Sequence, residues 1–416
     1  METKVPATGR SGIRLFFSSS ILLFVIAHFA HHLVNALTTP LLPFIQDEFN
    51  LDYTQAGFVI SAFSISYGLS QLPAGWLTDH IGARIMITIS IIGVAIAGVL
   101  VGLSTNYIML LFALIVMGII GGGYHPSAPP LVMAATEPKN RSKALGFHMI
   151  GGSASHFLSP LVGGAIAAVW GWRASYIGLA IPMLIFGVIF FIILGRQNSA
   201  RRAIRIEAKE SVAVEADAAH TSLRRIIFFI LLVTLAHAFT MVTVSFTPLF
   251  LVYKYGIDRT VAAGLLSLIF SSGLWASPLG GYFADRVGQM PVILIAGLCA
   301  GPIIFLMNYA PYGIPIFALL ILLGMIGPMR NPASEGYIAS NTPLKRRSTV
   351  LGFYYFGNME TGALLMPLVG YLLDHAPEGI SKFAFAFNIV AVAVMVISIV
   401  FLVSFWGQRE KDARAV

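Results

Sequence analysis

The sequence predicts an all-α, polytopic membrane protein with twelve transmembrane helices in two pseudo-symmetric, six-helix bundles. Three observations predict this fold class. Of the 416 residues, 57% are hydrophobic and only 11% are charged, with a mean hydropathy of +0.83. Apolar runs recur along the whole chain, and motifs of its first half return in the second. This composition disfavours a soluble fold. The net charge of +8 does not indicate nucleic-acid binding, because the basic residues follow the ends of the apolar runs.

Each apolar run between polar breaks is interpreted as one span, because about 20 residues are needed to cross roughly 30 Å of hydrocarbon. The predicted spans are residues 15–45, 52–79, 84–105, 107–135, 141–169, 173–195, 224–254, 259–285, 290–310, 314–341, 347–374 and 382–407. The longest polar break, residues 196–223, is predicted to be a cytoplasmic linker. It separates an N-terminal bundle, residues 1–195, from a C-terminal bundle, residues 224–416.

The positions of Lys and Arg predict the orientation. Arg330 falls inside a span, and a small group falls on one side of the membrane: Arg173, Lys254, Arg259 and Lys382. All other Lys and Arg residues fall on the opposite side, together with both termini. The positive-inside rule assigns that side to the cytoplasm. We therefore expect a multi-pass protein of a bacterial inner membrane with both termini cytoplasmic.

An internal repeat relates the two halves at one constant offset. "GWLTDHIG" from Gly75 matches "GYFADRVG" from Gly281, and "RSKALGF" from Arg141 matches "RSTVLGF" from Arg347. "YHP" at Tyr124 falls on "RNP" at the same offset. Parallel duplication of a six-helix half is typical of transporters with a site near the midplane.

These motifs resemble those of the major facilitator superfamily. "GWLTDHIGARIMI" resembles the superfamily's Gly-x-Leu-Ala-Asp-Arg-x-Gly-Arg loop signature, and "GYFADRVGQMPVI" resembles its second copy. The N-terminal half is most similar to the fosmidomycin-resistance-type group, through "AHHLVNALTTPLLPFIQDEFNLDYTQAG" and "GGGYHPSAPPLVMAA". Span 5, "GFHMIGGSASHFLSPLVGG", resembles the antiporter motif of exporters. The resemblance implies a secondary transporter rather than an enzyme, without a cofactor, functional as a monomer and favouring efflux.

Charged residues at the cytoplasmic ends of the spans are candidate gating residues. We expect them to form ion pairs that close the cytoplasmic side and separate when it opens. Charged loops that only obey the topology rule are the alternative. The candidates are Asp79, Arg84, Arg141, Asp285, Arg286 and Arg347.

Span 1 carries a polar stripe about 100° wide on one helical face. Its members are His28, His31, His32, Asn35 and Thr39. Because polar groups are costly in hydrocarbon, the stripe should face a wet cavity. His32 and Asn35 are candidate substrate contacts, and His28 and His32 are candidate proton carriers. A metal site is disfavoured despite the i, i+4 spacing of these histidines, because no further Cys or intramembrane Asp supports one. Interhelical hydrogen bonding is the structural alternative.

Arg330 lies near the middle of span 10, within "GMIGPMRNPASEGY". An unpaired Arg there costs at least ~2.5 to 3.5 kcal/mol, so it needs a cavity, a partner or both. Its planar fork suits carboxylate or phosphonate oxygens. Further candidate substrate contacts are Tyr124, His125, Trp275, Tyr354 and Asn358.

Glu360 in span 11 and Glu335 in span 10 are the candidate proton-coupling acids. An acid in hydrocarbon is readily neutralised, which suits a carrier that binds and releases a proton in each cycle. The alternative is that either Glu only neutralises Arg330. Pro328 and Pro332 remove two backbone donors from span 10, which predicts an irregular helix there.

Together these features predict a proton-coupled secondary transporter for a small, anionic organic compound or drug, with efflux favoured. Its expected partners are this substrate, protons and the lipid bilayer, and no nucleic acid. A primary ATP pump is disfavoured because the sequence has no Walker-type loop. The alternatives are a proton-driven uptake symporter for an organic acid and, less favoured, a non-transporting membrane receptor.

Overall fold

A computed structural model describes residues 19–136, 141–202, 223–342 and 344–405. Of residues 19–20, 141–143, 197–202, 339, 344–349 and 359–360, only the backbone is described. The described residues are helical, joined by short turns, and contain no strand. The helices are α1 (Ser19–Asn35), α2 (Thr38–Phe49), α3 (Tyr53–Ile81), α4 (Ala83–Gly102), α5 (Tyr107–Gly121), α6 (Tyr124–Ala134), α7 (Arg141–Trp170), α8 (Trp172–Arg202), α9 (Leu223–Tyr255), α10 (Arg259–Val287), α11 (Gln289–Met307), α12 (Ile314–Asn341), α13 (Leu344–Asp374) and α14 (Lys382–Phe405).

The described helices have the lengths that membrane spans require. Ten segments are long and apolar enough to cross a bilayer, counting α1 with α2 and α5 with α6 as single segments. Helices α3 and α13 are not among these segments, but their 29 and 31 residues also exceed the roughly 20 needed. The all-α membrane fold predicted from the sequence is therefore confirmed.

Two predicted spans are each interrupted near the polar residues that they carry. Span 1 breaks at residues 36–37, between α1 and α2, and span 4 breaks at residues 122–123, between α5 and α6. In each case a proline four residues on, Pro40 or Pro126, has no N–H for the carbonyl at the break. The predicted stripe is therefore wrong at Thr39, which belongs to α2 rather than to the face of α1.

The chain forms two compact units. The N-terminal unit contains the described residues up to Leu37 and from Ser66 to Arg202. The C-terminal unit contains Thr38–Ile65 and the described residues from Leu223 onward. Helix α3 is thus shared, its first half counting with the C-terminal unit. The bundle boundaries predicted from the sequence, with a linker at residues 196–223, stay a prediction.

Residues 38–65 are held in the C-terminal unit by polar contacts at helix ends. The Asp374 carboxylate accepts hydrogen bonds from the backbone N–H groups of Tyr53 and Thr54 at 2.9 and 2.8 Å, and from the Thr54 hydroxyl at 2.6 Å. Arg259 forms an ion pair with Asp47 at 2.6 Å. The carboxylate satisfies donors that the start of α3 cannot satisfy internally.

In the C-terminal unit, α10 and α12 pack with their backbones in contact. A Cβ on Gly280 of α10 would lie 2.6 Å from the Met329 Cα, next to Arg330, whereas a Cβ on Gly281 would meet nothing within 4 Å. The missing side chain at Gly280 thus sets how closely α10 approaches the residue before Arg330.

We expect Gly280→Ala to destabilise the protein and Gly281→Ala not to. Overpacking against backbone costs about 1–3 kcal/mol, whereas Ala at an open helical position gains up to about 1 kcal/mol over Gly. The melting temperature of the purified protein in detergent should fall by a few degrees for Gly280→Ala only. Equal melting temperatures for the two variants would contradict this packing.

Candidate functional site

In the N-terminal unit, histidines from three helices lie together, and four of their rings contact Tyr124. The histidine cluster consists of His28, His31 and His32 of α1, His125 of α6, and His148 and His156 of α7. The Tyr124 ring stacks on His31 and His28, with centroids 4.2 and 5.3 Å apart. His32 lies 5.6 Å from His125, centroid to centroid. The structure thus brings together the sequence candidates of the N-terminal half.

Hydrogen bonds to oxygen fix the protonation of several rings. The Nδ1 atom of His28 lies 2.9 Å from the His148 carbonyl oxygen, and that of His148 lies 3.1 Å from the Phe24 carbonyl oxygen. A carbonyl can only accept, so both Nδ1 atoms carry a proton. His32 Nδ1 makes the same contact with the Asn35 side-chain oxygen at 3.1 Å. In neutral rings, each Nε2 atom therefore keeps its lone pair.

Tyr67 of α3 belongs to this site, although we did not single it out in the sequence. Its hydroxyl lies 3.2 Å from His31 Nε2. Helix α3 can approach closely because Gly122 has no side chain. A Cβ at this position would lie only 2.7 Å from the Tyr67 carbonyl oxygen. The run of three glycines at residues 121–123 was the signal for this approach, since glycine marks places where two backbones come close.

Three buried polar atoms of the cluster have no hydrogen-bond partner among the described residues. They are His31 Nδ1, Asn35 Nδ2 and the Tyr124 hydroxyl. Both Tyr124 and His31 have 0% exposed surface. Buried polar groups are rarely left unpaired, so the arrangement is incomplete without a further group.

In the C-terminal unit, Arg330 is buried and held by oxygens that carry no charge. Its Nη2 donates to the Asn358 side-chain oxygen at 2.9 Å and to that of Asn331 at 3.2 Å, and its Nη1 donates to the Val233 carbonyl at 3.2 Å. Tyr354 lies alongside and donates to Asn331 at 3.5 Å. The Arg330 Nε has no partner among the described residues.

The two candidate proton-coupling acids, Glu335 and Glu360, are described to different extents. Glu335 contacts the Tyr355 hydroxyl and forms no ion pair with Arg330 among the described side chains. Helix α12 is continuous through Pro328 and Pro332, and five residues of α-helix set Arg330 and Glu335 about 140° apart. Glu360 lies on α13, but its side chain is outside the described part of the chain.

Two aromatic residues of the C-terminal unit, the candidate Trp275 and the buried His237, lie in different surroundings. His237 of α9 is buried, and its ring lies 3.5 Å from where a Cβ on Gly327 would stand, one turn before Arg330. Trp275 of α10 is 40% exposed, and no described contact joins it to Arg330. His237 thus belongs to the surroundings of Arg330, and Trp275 stays a prediction.

The candidate gating residues are described in part. Asp79 and Asp285 are exposed, and neither forms an ion pair with a described side chain. Arg84 donates to the Phe191 carbonyl at 2.9 Å and stacks on the Phe191 ring, while Arg286 stacks on Tyr282. The side chains of Arg141 and Arg347 lie outside the described residues.

One group of side chains could hold a metal ion, although the sequence disfavoured one. Ligand atoms of His28, His32 and His125 all lie within 4.8 Å of one another. Imidazole nitrogen is a common ligand of Zn²⁺, Ni²⁺ and Cu²⁺. Sequence spacing identified His28 and His32, but the third ring comes from another helix.

Comparison with known proteins gives a consistent result. The sequence profile of the Major Facilitator Superfamily matches residues 24–276 and 229–415. The multidrug resistance protein MdtG of Proteus mirabilis is 27% identical over 326 residues, which are 74% of this chain and 77% of that protein. MdtG of Salmonella arizonae is 26% identical over 323 residues, 74% of this chain and 76% of that protein.

Solved structures share the fold at low sequence identity. A bacterial homologue of the human lysosomal transporter Spinster, inward-facing and occupied, has a TM-score of 0.71 and 18% identity over 96% of both chains. A D-xylose–proton symporter has a TM-score of 0.74 and 15% identity over 92% of this chain and 96% of its own. At these identities the likeness extends to the fold alone.

Proposed function

The chain belongs to the major facilitator superfamily, and we propose that it exports a small organic anion or drug in exchange for protons. It is a multi-pass membrane protein and a secondary transporter. The substrate class, the direction and the coupling ion are the proposal. We further propose that it works as a monomer in a bacterial inner membrane with both termini in the cytoplasm.

The observation that carries the proposal is that Arg330 is buried without a counter-charge among the described side chains. Its guanidinium contacts amide and carbonyl oxygens, and no described carboxylate neutralises it. Leaving a buried charge without a counter-charge is costly. A substrate carboxylate or phosphonate would supply that charge, and the guanidinium fork matches the two oxygens of such a group.

Two observations favour export over uptake. The relatives matched over 74% of the chain are named multidrug resistance proteins. Span 5 carries Gly146, Pro160, Gly163 and Gly164 at the spacing of the exporter motif described above. Both support movement of substrate out of the cell against the inward flow of protons.

Proton coupling is assigned to acids and imidazoles inside the membrane. Glu335 and Glu360 lie on the helices that supply Arg330 and Asn358. Protonation of a carboxylate close to the substrate changes the charge around Arg330, which links binding of the proton to binding of the anion. His28 and His32 are the corresponding candidates of the N-terminal unit.

Alternating access requires that the cytoplasmic side close and reopen. We assign this to Asp79 and Asp285 at the ends of α3 and α10, with the arginines of the same and following loops. Both carboxylates are exposed in this structure. Arg84 and Arg286 stack on aromatic rings of their own units instead.

Transport by the purified protein in liposomes tests the proposal. We expect a pH gradient to drive accumulation of at least one compound from a panel of organic anions and antimicrobials, and a protonophore to abolish it. Antiport moves the substrate toward the more acidic side, whereas symport moves it toward the more alkaline side. Protein-free liposomes are the control. Binding without gradient-driven flux of any compound would overturn the proposal in favour of a receptor.

A further inference from the structure

We propose that the N-terminal unit binds one divalent transition-metal ion through His28, His32 and His125. Ligand atoms of these three rings already lie within 4.8 Å of one another. Nitrogens bound tetrahedrally at 2.0–2.1 Å lie about 3.3 Å apart. Closing the difference needs shifts of roughly 1 Å between the rings.

The rings are already prepared as ligands by the groups behind them. Metal-bound histidines usually donate their other N–H to a carbonyl or carboxylate oxygen, which fixes the tautomer. His28 does so to the His148 carbonyl at 2.9 Å, and His32 to the Asn35 side-chain oxygen at 3.1 Å. Both rings therefore keep the Nε2 lone pair for the ion.

The ligand set indicates the class of ion. Imidazole nitrogen suits Zn²⁺, Co²⁺, Ni²⁺ and Cu²⁺, whereas Mg²⁺ and Ca²⁺ prefer oxygen ligands. Asp79, the one acid of the described N-terminal unit, is exposed at a helix end. Three neutral ligands leave the ion its full charge and at least one open position, as in catalytic rather than closed structural zinc sites.

The site has an open side and unused polar groups around it. His125 is partly exposed, so the cluster is not sealed. The Tyr124 hydroxyl and Asn35 Nδ2 are buried and unpartnered in the described part of the chain. These two groups are available to a water or anion that completes the coordination. The inference rests on the N-terminal unit alone and stands whether or not the chain exports organic anions.

Metal titration of the purified full-length protein tests the site. The protein should carry a purification tag without histidine and be stripped with a chelator. Co²⁺ should then bind at one ion per chain and give the visible absorption bands of nitrogen-bound, four- or five-coordinate Co²⁺, and Zn²⁺ should displace it. Calorimetry with Zn²⁺ alone gives the affinity.

Variants assign the binding to these residues. His28→Gln or His32→Gln should remove the Co²⁺ bands, and Asn35→Ala should weaken binding by about 10- to 100-fold. His375→Gln is the matched control, because His375 is exposed and bonded to the Tyr371 carbonyl of its own helix. Melting temperatures establish that each variant is folded. No stoichiometric binding by the wild type, or loss of binding in His375→Gln but not in His32→Gln, would overturn the site.

A flux measurement distinguishes an ion that stays bound to the protein from an ion that the protein transports. Liposomes holding the protein and a zinc-sensitive dye report entry of Zn²⁺ under a pH gradient. If Zn²⁺ enters and His32→Gln abolishes its entry, the ion is a substrate. If Zn²⁺ binds stoichiometrically but does not enter, the ion stays bound to the protein. Either result supports the site. Transport of organic anions after chelation is read separately, so failure of the metal site and failure of the proposed export are distinguishable.

Discussion

Replacing Arg330 with alanine is expected to weaken binding of an anionic substrate by about 10- to 150-fold. A hydrogen bond to a charged group contributes about 1.5–3 kcal/mol. A loss of about 1.4 kcal/mol corresponds to a tenfold higher dissociation constant. Arg330→Lys keeps the charge but loses the planar fork, so it should fall between alanine and the wild type. The dissociation constants of the purified variants, measured by calorimetry, check this.

Two controls separate substrate binding from a general effect of a lost charge. Arg196→Ala removes an exposed arginine at the end of α8 and should leave the affinity unchanged. A neutral ester of the same substrate should bind wild type and Arg330→Ala alike. If anion and ester both bind Arg330→Ala as they bind the wild type, Arg330 is structural and the anion site lies elsewhere.

Replacing Glu335 and Glu360 with glutamine is expected to abolish gradient-driven accumulation while substrate exchange continues. One exchanged proton and a gradient of one pH unit support accumulation of at most about tenfold, since one unit is worth 1.36 kcal/mol. A variant that cannot release a proton at the coupling site should not accumulate substrate at all. It should still exchange internal for external substrate, because Arg330 and its amide partners remain.

The exposed Glu378 provides the matched control. Glu378→Gln changes the same functional group in the connection between α13 and α14 and should leave accumulation intact. Testing the two intramembrane variants separately identifies the coupling residue. Normal accumulation in both single variants and in the double variant would exclude the carboxylates and move proton coupling to His28 and His32.

The number and type of elements could be predicted from the sequence because the bilayer imposes a length and an apolar composition on each span. The interruptions at residues 36–37 and 122–123 were missed, although Pro40 and Pro126 stood four residues after each. The hydropathy of both spans is continuous across the break, so the apolar pattern alone gives one helix. Counting the carbonyls that each proline leaves without a donor marks both positions, but the same count also marks Pro328 and Pro332, through which α12 continues.

The position of Arg330 in its span was predicted better than the residues that contact its guanidinium group. The sequence put Asn358 and Tyr354 in the site as substrate contacts, and the structure places both beside the guanidinium. Val233 lies on α9, far from Arg330 along the chain. No sequence pattern shows which backbone carbonyl will accept such a hydrogen bond. Such contacts depend on how each helix is rotated about its own axis relative to its neighbours. A single sequence without its relatives does not contain that information. The same holds for Tyr67 beside His31.

Proton movement that accompanies the anion tests the central claim most directly. Liposomes holding the protein and a pH-sensitive dye, with no initial pH gradient, receive a transported anion on the outside. Antiport predicts that the lumen becomes alkaline as the anion enters, in the wild type but neither in the coupling-deficient Glu variant nor in protein-free liposomes. Entry of the anion with an unchanged or more acidic lumen would contradict exchange of an organic anion for protons.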